Sequence, residues 1–361
     1  MTTGITKRHS RNCRSREAGR CNCNAGWEAS VYSHRDGKKI RKTFAREAEA
    51  RSWRSDALAA ANRGVLQPAR RDTRTLTEAL RQHVAGMRTG TVRPKGRAAY
   101  KPNTVRSYEN AVDRHIAGSA IGAAKVGEVR RQDVQALADE LLASGLGAAT
   151  VSNILNPVQA FYRRAIDRDE LAYNPAERID LPTGEATRPK RIASATEAQA
   201  LLEALPEHDR PLWATAFYAG LRRGELQALR WGDVDLGASL IRVERSWDQY
   251  EGAIEPKSRS SRRTVPLLAI LRDYLDEHKL TAAGEPEALV FGRAEASPFA
   301  PMTINKRAKK AWRAAGLEPI TLHECRHTFA SLLIDSGANP KAVQEFMGHS
   351  KIQTTFDIYG H

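Results

Sequence analysis

Four residues, Gly337-Ala338-Asn339-Pro340, cut the C-terminal part of this 361-residue chain into short helical pieces. Before the cut, Phe329, Leu332 and Leu333 recur at helical spacing, and His323 and Arg326 stand three apart, so a helix projects both from one face. Gly337 falls at the position after the helix end and Pro340 follows closely, which is how helices stop. A second short helix is expected over 341–347, closed by Gly348-His349. Tyr359 comes ten residues past His349 on a final short segment.

Each of these side chains has a bearing on phosphate chemistry. Arginine offers a phosphate paired N–H donors and keeps its charge at any working pH. Histidine exchanges protons near neutrality. A tyrosine oxygen becomes a nucleophile when neighbours take its proton and stabilise the electrophile's charge. Phosphoryl transfer is mostly positioning and charge stabilisation. The set points to attack of a phenol on a phosphodiester.

The runs HECRHTFAS (323–331) and GHSKIQTT (348–355), followed by Tyr359, closely resemble the motifs of the tyrosine recombinase, or phage integrase, family. Upstream, AGLRRGELQALRW (219–231) resembles that family's first arginine box, and EPKSRSSRRTVPL (255–267) its lysine-bearing β-hairpin. The order Arg222, Lys257, His323, Arg326, His349, Tyr359 runs without a gap. The resemblance implies a multidomain, mainly α chain: a small α+β arm-type DNA-binding domain over 1–72, an all-α core-binding domain over 73–184, and a mixed, mostly helical catalytic domain over 185–361. It also implies roles. Tyr359 attacks and forms a 3′-phosphotyrosyl link, Arg222 and Arg326 hold the non-bridging oxygens, and His349 adds a hydrogen bond. His323 accepts the phenol proton and Lys257 protonates the leaving 5′ oxygen. No metal or ATP is needed. The family places its arginine directly after Gly-Leu, which selects Arg222 and leaves Arg223 to solvent or the DNA backbone. Glu225, three residues on, is expected to orient the site by pairing with an arginine. Cys325 sits about 200° around the helix from His323 and is expected to be buried and inert.

Charge agrees with a nucleic-acid partner. The net charge is +15, and residues 1–72 hold seventeen Lys and Arg against seven Asp and Glu, so two-thirds of the excess lies in the first fifth of the chain. That segment alternates around Arg35-Asp36-Gly37 as a hairpin and then turns helical up to a stop at Gly64. His9, Cys13, Cys21 and Cys23 within it have residue types suited to tetrahedral zinc, although Cys-x-Cys departs from the usual Cys-x2-Cys step. Two readings stay open there: a structural zinc, or reduced and unliganded thiols.

Beyond the basic linker 68–74, Thr75 and Glu78 form a capping-box signature. Helices are expected over 75–88, 102–116, 131–143 and 148–168, with Gly86 to Gly90 and the RPKGR run as a flexible, basic connection. Asn103, Thr104 and Arg106 stand near a helix start, suited to phosphate contact. Lys306, Arg307, Lys309 and Lys310 make one amphipathic helix a phosphate-facing surface, and residues 240–267 give the one convincing sheet of the last domain.

The N-terminus has no apolar signal segment and no run is long enough to span a membrane, so a bacterial cytoplasmic location with double-stranded attachment-site DNA as partner is expected. By resemblance the working form is a homotetramer on DNA, with an excisionase and a DNA-bending protein as helpers. Relatives carry a tail beyond the tyrosine, whereas this chain stops at His361. Other readings of the same pattern are a conjugative-element transposase, a chromosome-dimer resolvase or a type IB topoisomerase. A reading of another class is a non-catalytic DNA-binding regulator.

Overall fold

The computed structural model describes residues 4–10, 13–14, 20–21, 23–33, 38–62, 72–96, 98–182, 191–254, 262–281, 285–294 and 297–359. The chain divides into two compact units, Met1–Thr183 and Gly184–His361. Among the described residues no helix is long and apolar enough to cross a membrane.

The first unit opens with an antiparallel sheet, β1 (Ile5–Arg8), β2 (Gly26–Ser33) and β3 (Lys38–Phe44), in that spatial order. Strand alternation puts Trp27, Ala29 and Val31 on one face with Ile40 and Phe44 opposite them. Helix α1 (Glu47–Asn62) covers this face, with Ala50 and Ala57 buried and the Trp53 ring 5.7 Å from that of Phe44. The expected turn at 35–37 and the stop at Gly64 lie outside the described residues. Strand β1 was not legible, because Thr6-Lys7-Arg8 is exposed and has no apolar alternation.

The rest of the unit is helical: α2 (Leu76–Thr89), α3 (Pro102–Ala111), α4 (Ala120–Ala123), α5 (Arg131–Ala143) and α6 (Ala148–Asp167). The capping box at the start of α2 is formed, with Glu78 N donating to Thr75 Oγ1 (3.2 Å) and Thr75 N to Glu78 Oε2 (2.8 Å). One π-helical turn, Val112–Ile116, continues α3. Leu76, Leu80, Ile116, Val134, Leu155 and Val158 fill the core, and the Tyr162 hydroxyl donates to Val126 O (2.8 Å). Residues 86–89 continue α2, since Met87 is buried with Val84, Val92 and Val105 and completes the apolar stripe; only Gly90 ends the helix.

The second unit runs α7 (Ala195–Glu203), α8 (Arg210–Tyr218), α9 (Arg223–Ala228), β4 (Val234–Asp235), β5 (Leu240–Val243), β6 (Ser246–Asp248), β7 (Gly252–Ile254), β8 (Arg263–Pro266), α10 (Ala269–Thr281), β9 (Gly292–Ala294), β10 (Ser297–Pro298), α11 (Pro301–Ala314), α12 (Leu322–Asp335), α13 (Pro340–Met347) and α14 (Gln353–Tyr359). The one expected sheet is replaced by small antiparallel ones, β4-β5-β8, β6-β7 and β9-β10, because the chain bends away between Val243 and Ser246 instead of extending one ladder. Helix α8 is apolar all round and buried from Pro211 to Tyr218, as a central helix must be. Trp213 meets Trp312 edge-on at 4.8 Å, and the Trp312 indole donates to Leu201 O at 2.8 Å. The turn leaving α8 therefore starts from a helix buried on every side.

Candidate active site

Gly220-Leu221-Arg222 follows α8 at once. Gly220 has φ +60°, and a Cβ there would lie 2.3 Å from the Phe329 ring of α12, so no other residue lets the turn press this close. Arg222 is the residue before α9 and half-exposed. Its backbone N–H donates to Glu225 Oε2 (2.8 Å) and its Nη1 to Glu225 Oε1 (2.9 Å). Arg223, the next residue, is exposed.

Arg326 lies on α12 and is 2% exposed. It donates to Gly220 O from Nη1 and to Met347 O from Nη2. Burial first, then the charges of Arg222 and Arg263, lower its pKa well below the usual guanidinium range, and Glu225 works the other way. Met347 O belongs to the end of α13, where Gly348 reverses the chain at φ +59°. The last carbonyls of a helix have no partner within it and form its negative pole. Here they hold arginines: Phe346 O accepts from Arg263 Nε (2.6 Å), Met347 O from Arg222 Nη2 (3.3 Å) as well as Arg326, and Gly348 O from Arg222 Nη2 (2.9 Å).

Glu225 is the counter-charge. Arg263 Nη1 and Nη2 donate to its two oxygens at 2.9 and 2.8 Å. Burial alone would raise its pKa, but the hydrogen bonds and charge of Arg263, then the charges of Arg222 and Arg326, hold it down at about 2. Glu225 pairs with an arginine as expected, and with two of them. Arg263 is the one member of this ion-pair cluster that the motifs do not mark. Its signal was the alternation Arg263-Thr264-Val265, which puts it on the same strand face as buried Val265.

His349 follows the reversal at Gly348. Its Nδ1 lies 3.0 Å from Oγ1 of buried Thr355 on α14. Burial, then Arg326, Arg222, His327 and Arg263, lower its pKa to about 4, so the ring is neutral at pH 7. Tyr359 ends α14 four residues after Thr355, and α14 packs on α12 and α13. His323 is in the first turn of α12, exposed, its ring edge-on to that of His327 at 4.6 Å. Cys325 is fully buried, and burial pushes its thiol pKa up. Lys257 lies outside the described residues.

Thus Arg222, Glu225, Arg326 and His349 are brought together around the end of α13. Lys306 is exposed on α11. Arg307, expected to face phosphate, instead donates from Nε (2.8 Å) and Nη2 (2.5 Å) to Asp209, whose buried carboxylate needs a cation. In the first unit, Asn103 (exposed) and Thr104 and Arg106 (part-buried) occupy the first turns of α3.

Residues 190–361 match the phage integrase family, and residues 95–169 match the phage integrase N-terminal SAM-like domain. A XerC-like tyrosine recombinase of Caldanaerobacter subterraneus is 30% identical over 295 residues, 73% of this chain and 75% of the relative. The chain belongs to the phage integrase family. It is a tyrosine-type site-specific recombinase, and the motifs that resembled that family in the sequence fall within the matched segments. The ICEBs1 integrase of Bacillus subtilis is 25% identical over 278 residues, 72% of this chain and 74% of its own. Among solved structures, the Tn1549 transposon integrase in complex with a circular-intermediate DNA has the same fold, with a TM-score of 0.66 at 23% identity over 78% of this chain and 95% of that one. A mainly helical, multidomain recombinase with small antiparallel sheets is therefore the architecture of this family member.

Proposed function

We propose that this chain is the integrase of a mobile genetic element and joins two DNA duplexes at attachment sites. The convergence of Arg222, Arg326 and His349 on the end of α13 carries this reading, since it concentrates positive charge and neutral hydrogen bonding where a phosphodiester would sit. The Tyr359 oxygen attacks the scissile phosphorus. A phosphotyrosyl bond to the 3′ end forms, the bond to the 5′ oxygen breaks, and that oxygen leaves as a hydroxyl after taking a proton from Lys257. His323, exposed at the start of α12, accepts the phenol proton. Arg222 and Arg326 offset charge on the non-bridging oxygens, and neutral His349 donates through the nitrogen that Thr355 does not hold. Attack by another 5′-hydroxyl reverses each step. Bond energy is conserved, so neither ATP nor a metal is consumed.

The three domains divide the DNA among them: residues 1–72 on arm-type sites, 73–184 and 185–361 on the core site. The face of the N-terminal sheet turned away from α1 carries Arg8, Tyr32, Lys39 and Arg41, which suits a sheet laid on duplex DNA. Arg223, Lys306, Asn103, Thr104 and Arg106 serve the phosphate backbone. Exchange of two duplexes breaks four strands with one nucleophile per chain, which calls for four copies. An excisionase and a DNA-bending protein would set direction, in the bacterial cytoplasm.

The test is a nicked duplex carrying a candidate core site, incubated with the protein and resolved on a denaturing gel. A covalent adduct mapped to Tyr359 by mass spectrometry supports the reading; tight binding with no adduct would favour a DNA-binding regulator. The XerC-like relative favours a second reading, chromosome-dimer resolution. Footprints at one class of site only, unchanged by deleting residues 1–72, would select it.

A further inference from the structure

Residues 9–25 connect β1 to β2, a long connection between two paired strands, and four side chains of this connection meet at its neck. His9 directly follows β1. Cys21 and Cys23 come just before β2. Cys13 is 3% exposed and lies between. The His9 Nδ1 lies 3.5 Å from Cys13 Sγ, 3.2 Å from Cys21 Sγ and 3.5 Å from Cys23 Sγ. Cys21 Sγ is 3.6 Å from Cys13 Sγ and 3.7 Å from Cys23 Sγ, and all four ligand atoms fall within 4.8 Å of one another. None of the three thiols is in a disulfide.

Five of the six edges of a coordination tetrahedron thus measure 3.2 to 3.7 Å, and the sixth, Cys13 Sγ to Cys23 Sγ, is within 4.8 Å. A zinc ion bound about 2.3 Å from sulfur and about 2.05 Å from nitrogen separates its ligands by about 3.8 Å for S···S and about 3.6 Å for S···N. Two soft clues agree with zinc over other ions: three sulfurs with one imidazole, and a closed set of four protein ligands with no position left for water. Three thiolates around a divalent ion leave one negative charge, and Arg8, Arg14 and Arg20 adjoin the ligands in sequence.

We propose that His9, Cys13, Cys21 and Cys23 form a structural zinc site that clips the β1–β2 connection. The fold around it explains the need. The sheet and α1 bury few large side chains, with Ala29, Val31, Ala50 and Ala57 at their centre. Units with so small a core commonly need a metal or a disulfide to hold together. Four-residue β1 has one neighbouring strand, so a zinc at its end keeps it in the sheet, and with it the Arg8 side of the DNA-facing surface. The phosphodiester chemistry of the second unit does not use this ion, so the site stands whether or not the reading of that chemistry holds.

The full-length protein, purified in reductant without chelator, should contain about one zinc per chain. Cys21→Ser with Cys23→Ser should bring that to background, while Cys325→Ser should leave it unchanged. Because the double variant risks unfolding the sheet, the wild-type chain stripped of metal should also be titrated with cobalt(II). Visible d–d bands of tetrahedral cobalt with thiolate charge-transfer absorption are expected, displaced by zinc. Background metal in the wild-type chain together with no cobalt bands would overturn the proposal. So would an intact mass two hydrogens short in protein kept reduced, with a peptide map placing the disulfide between Cys13 and Cys21.

Discussion

Glu225 and Arg263 form a two-pronged ion pair whose side chains are only 4% and 5% exposed, and the same carboxylate also takes a hydrogen bond from Arg222. A site proposed to receive an anionic phosphate thus contains a buried anion of its own. Its effect is to keep three neighbouring guanidinium groups from repelling one another before DNA arrives. Removing one partner of a buried pair typically costs about 3–5 kcal/mol. Glu225→Ala should therefore lower the stability of the second unit by that order in urea denaturation, with the loss of covalent cleavage following from it. A variant as stable as wild type would show that the arginines stand without their counter-ion.

Tyr359→Phe removes the oxygen proposed to attack the phosphorus. Duplex binding should remain while the covalent adduct on a nicked substrate disappears. Arg326→Lys keeps charge but loses the fork that bridges Gly220 O and Met347 O. Its single-turnover cleavage rate should fall on the order of 10²–10³. Rapid-quench gels measure both.

Acid should loosen the second unit in two steps. His349 binds its proton near pH 4 in the folded chain and near 6.5 when unfolded, so the unfolded chain holds more protons between those values. Stability is then fully present above about pH 6.5 and declines as pH falls toward 4. Glu225, at about 2 folded against 4.5 unfolded, adds a further loss as pH falls from 4.5 toward 2. Urea midpoints of wild type and His349→Gln across pH 4–7 provide the check. The variant's profile should be flatter between 4 and 6.5, and parallel profiles would remove His349 as the cause.

Gly220→Ala tests the turn that joins α8 to the site. A left-handed non-glycine residue costs about 1–3 kcal/mol, and the Phe329 ring adds a clash at 2.3 Å. Thermal unfolding should shift down accordingly. Adding Phe329→Leu should recover the clash and not the backbone part.

Thr355→Val deletes the hydroxyl beside His349 Nδ1 and conserves volume. The ring then loses the bond that selects its tautomer. Cleavage should slow while DNA affinity stays constant, as read by single-turnover rates against gel-shift titration.

Much of this was readable from residues alone, for identifiable reasons. Helix ends announce themselves locally: Thr75 and Glu78 form the capping box their sequence suggests, and Gly337, just past the end of α12, and Pro340 mark the break before α13. Arg222, Arg326 and His349 were legible as a group because the motifs that resemble the family mark them in order, and the fold brings them together at the end of α13. Arg263 and Arg307 were not, because a charged residue in a basic run looks solvated, and only the fold says that a buried acid lies opposite. The breaking of one sheet into three and the pairing of β1 were likewise hidden. Both depend on where the backbone turns, and short polar strands carry no apolar alternation to mark them.

The arginines at the end of α13 are held by main-chain oxygens of Phe346, Met347 and Gly348. Such acceptors have no codon of their own. A screen that replaces side chains one by one would pass over Phe346 and Met347 as anchors of the guanidinium groups, because every amino acid brings the same carbonyl. Mutation reaches them through the backbone at Gly348, whose left-handed turn at φ +59° closes α13 and is one that other residues rarely adopt. Inactivating changes in this segment should therefore pile up at a residue with no side chain at all.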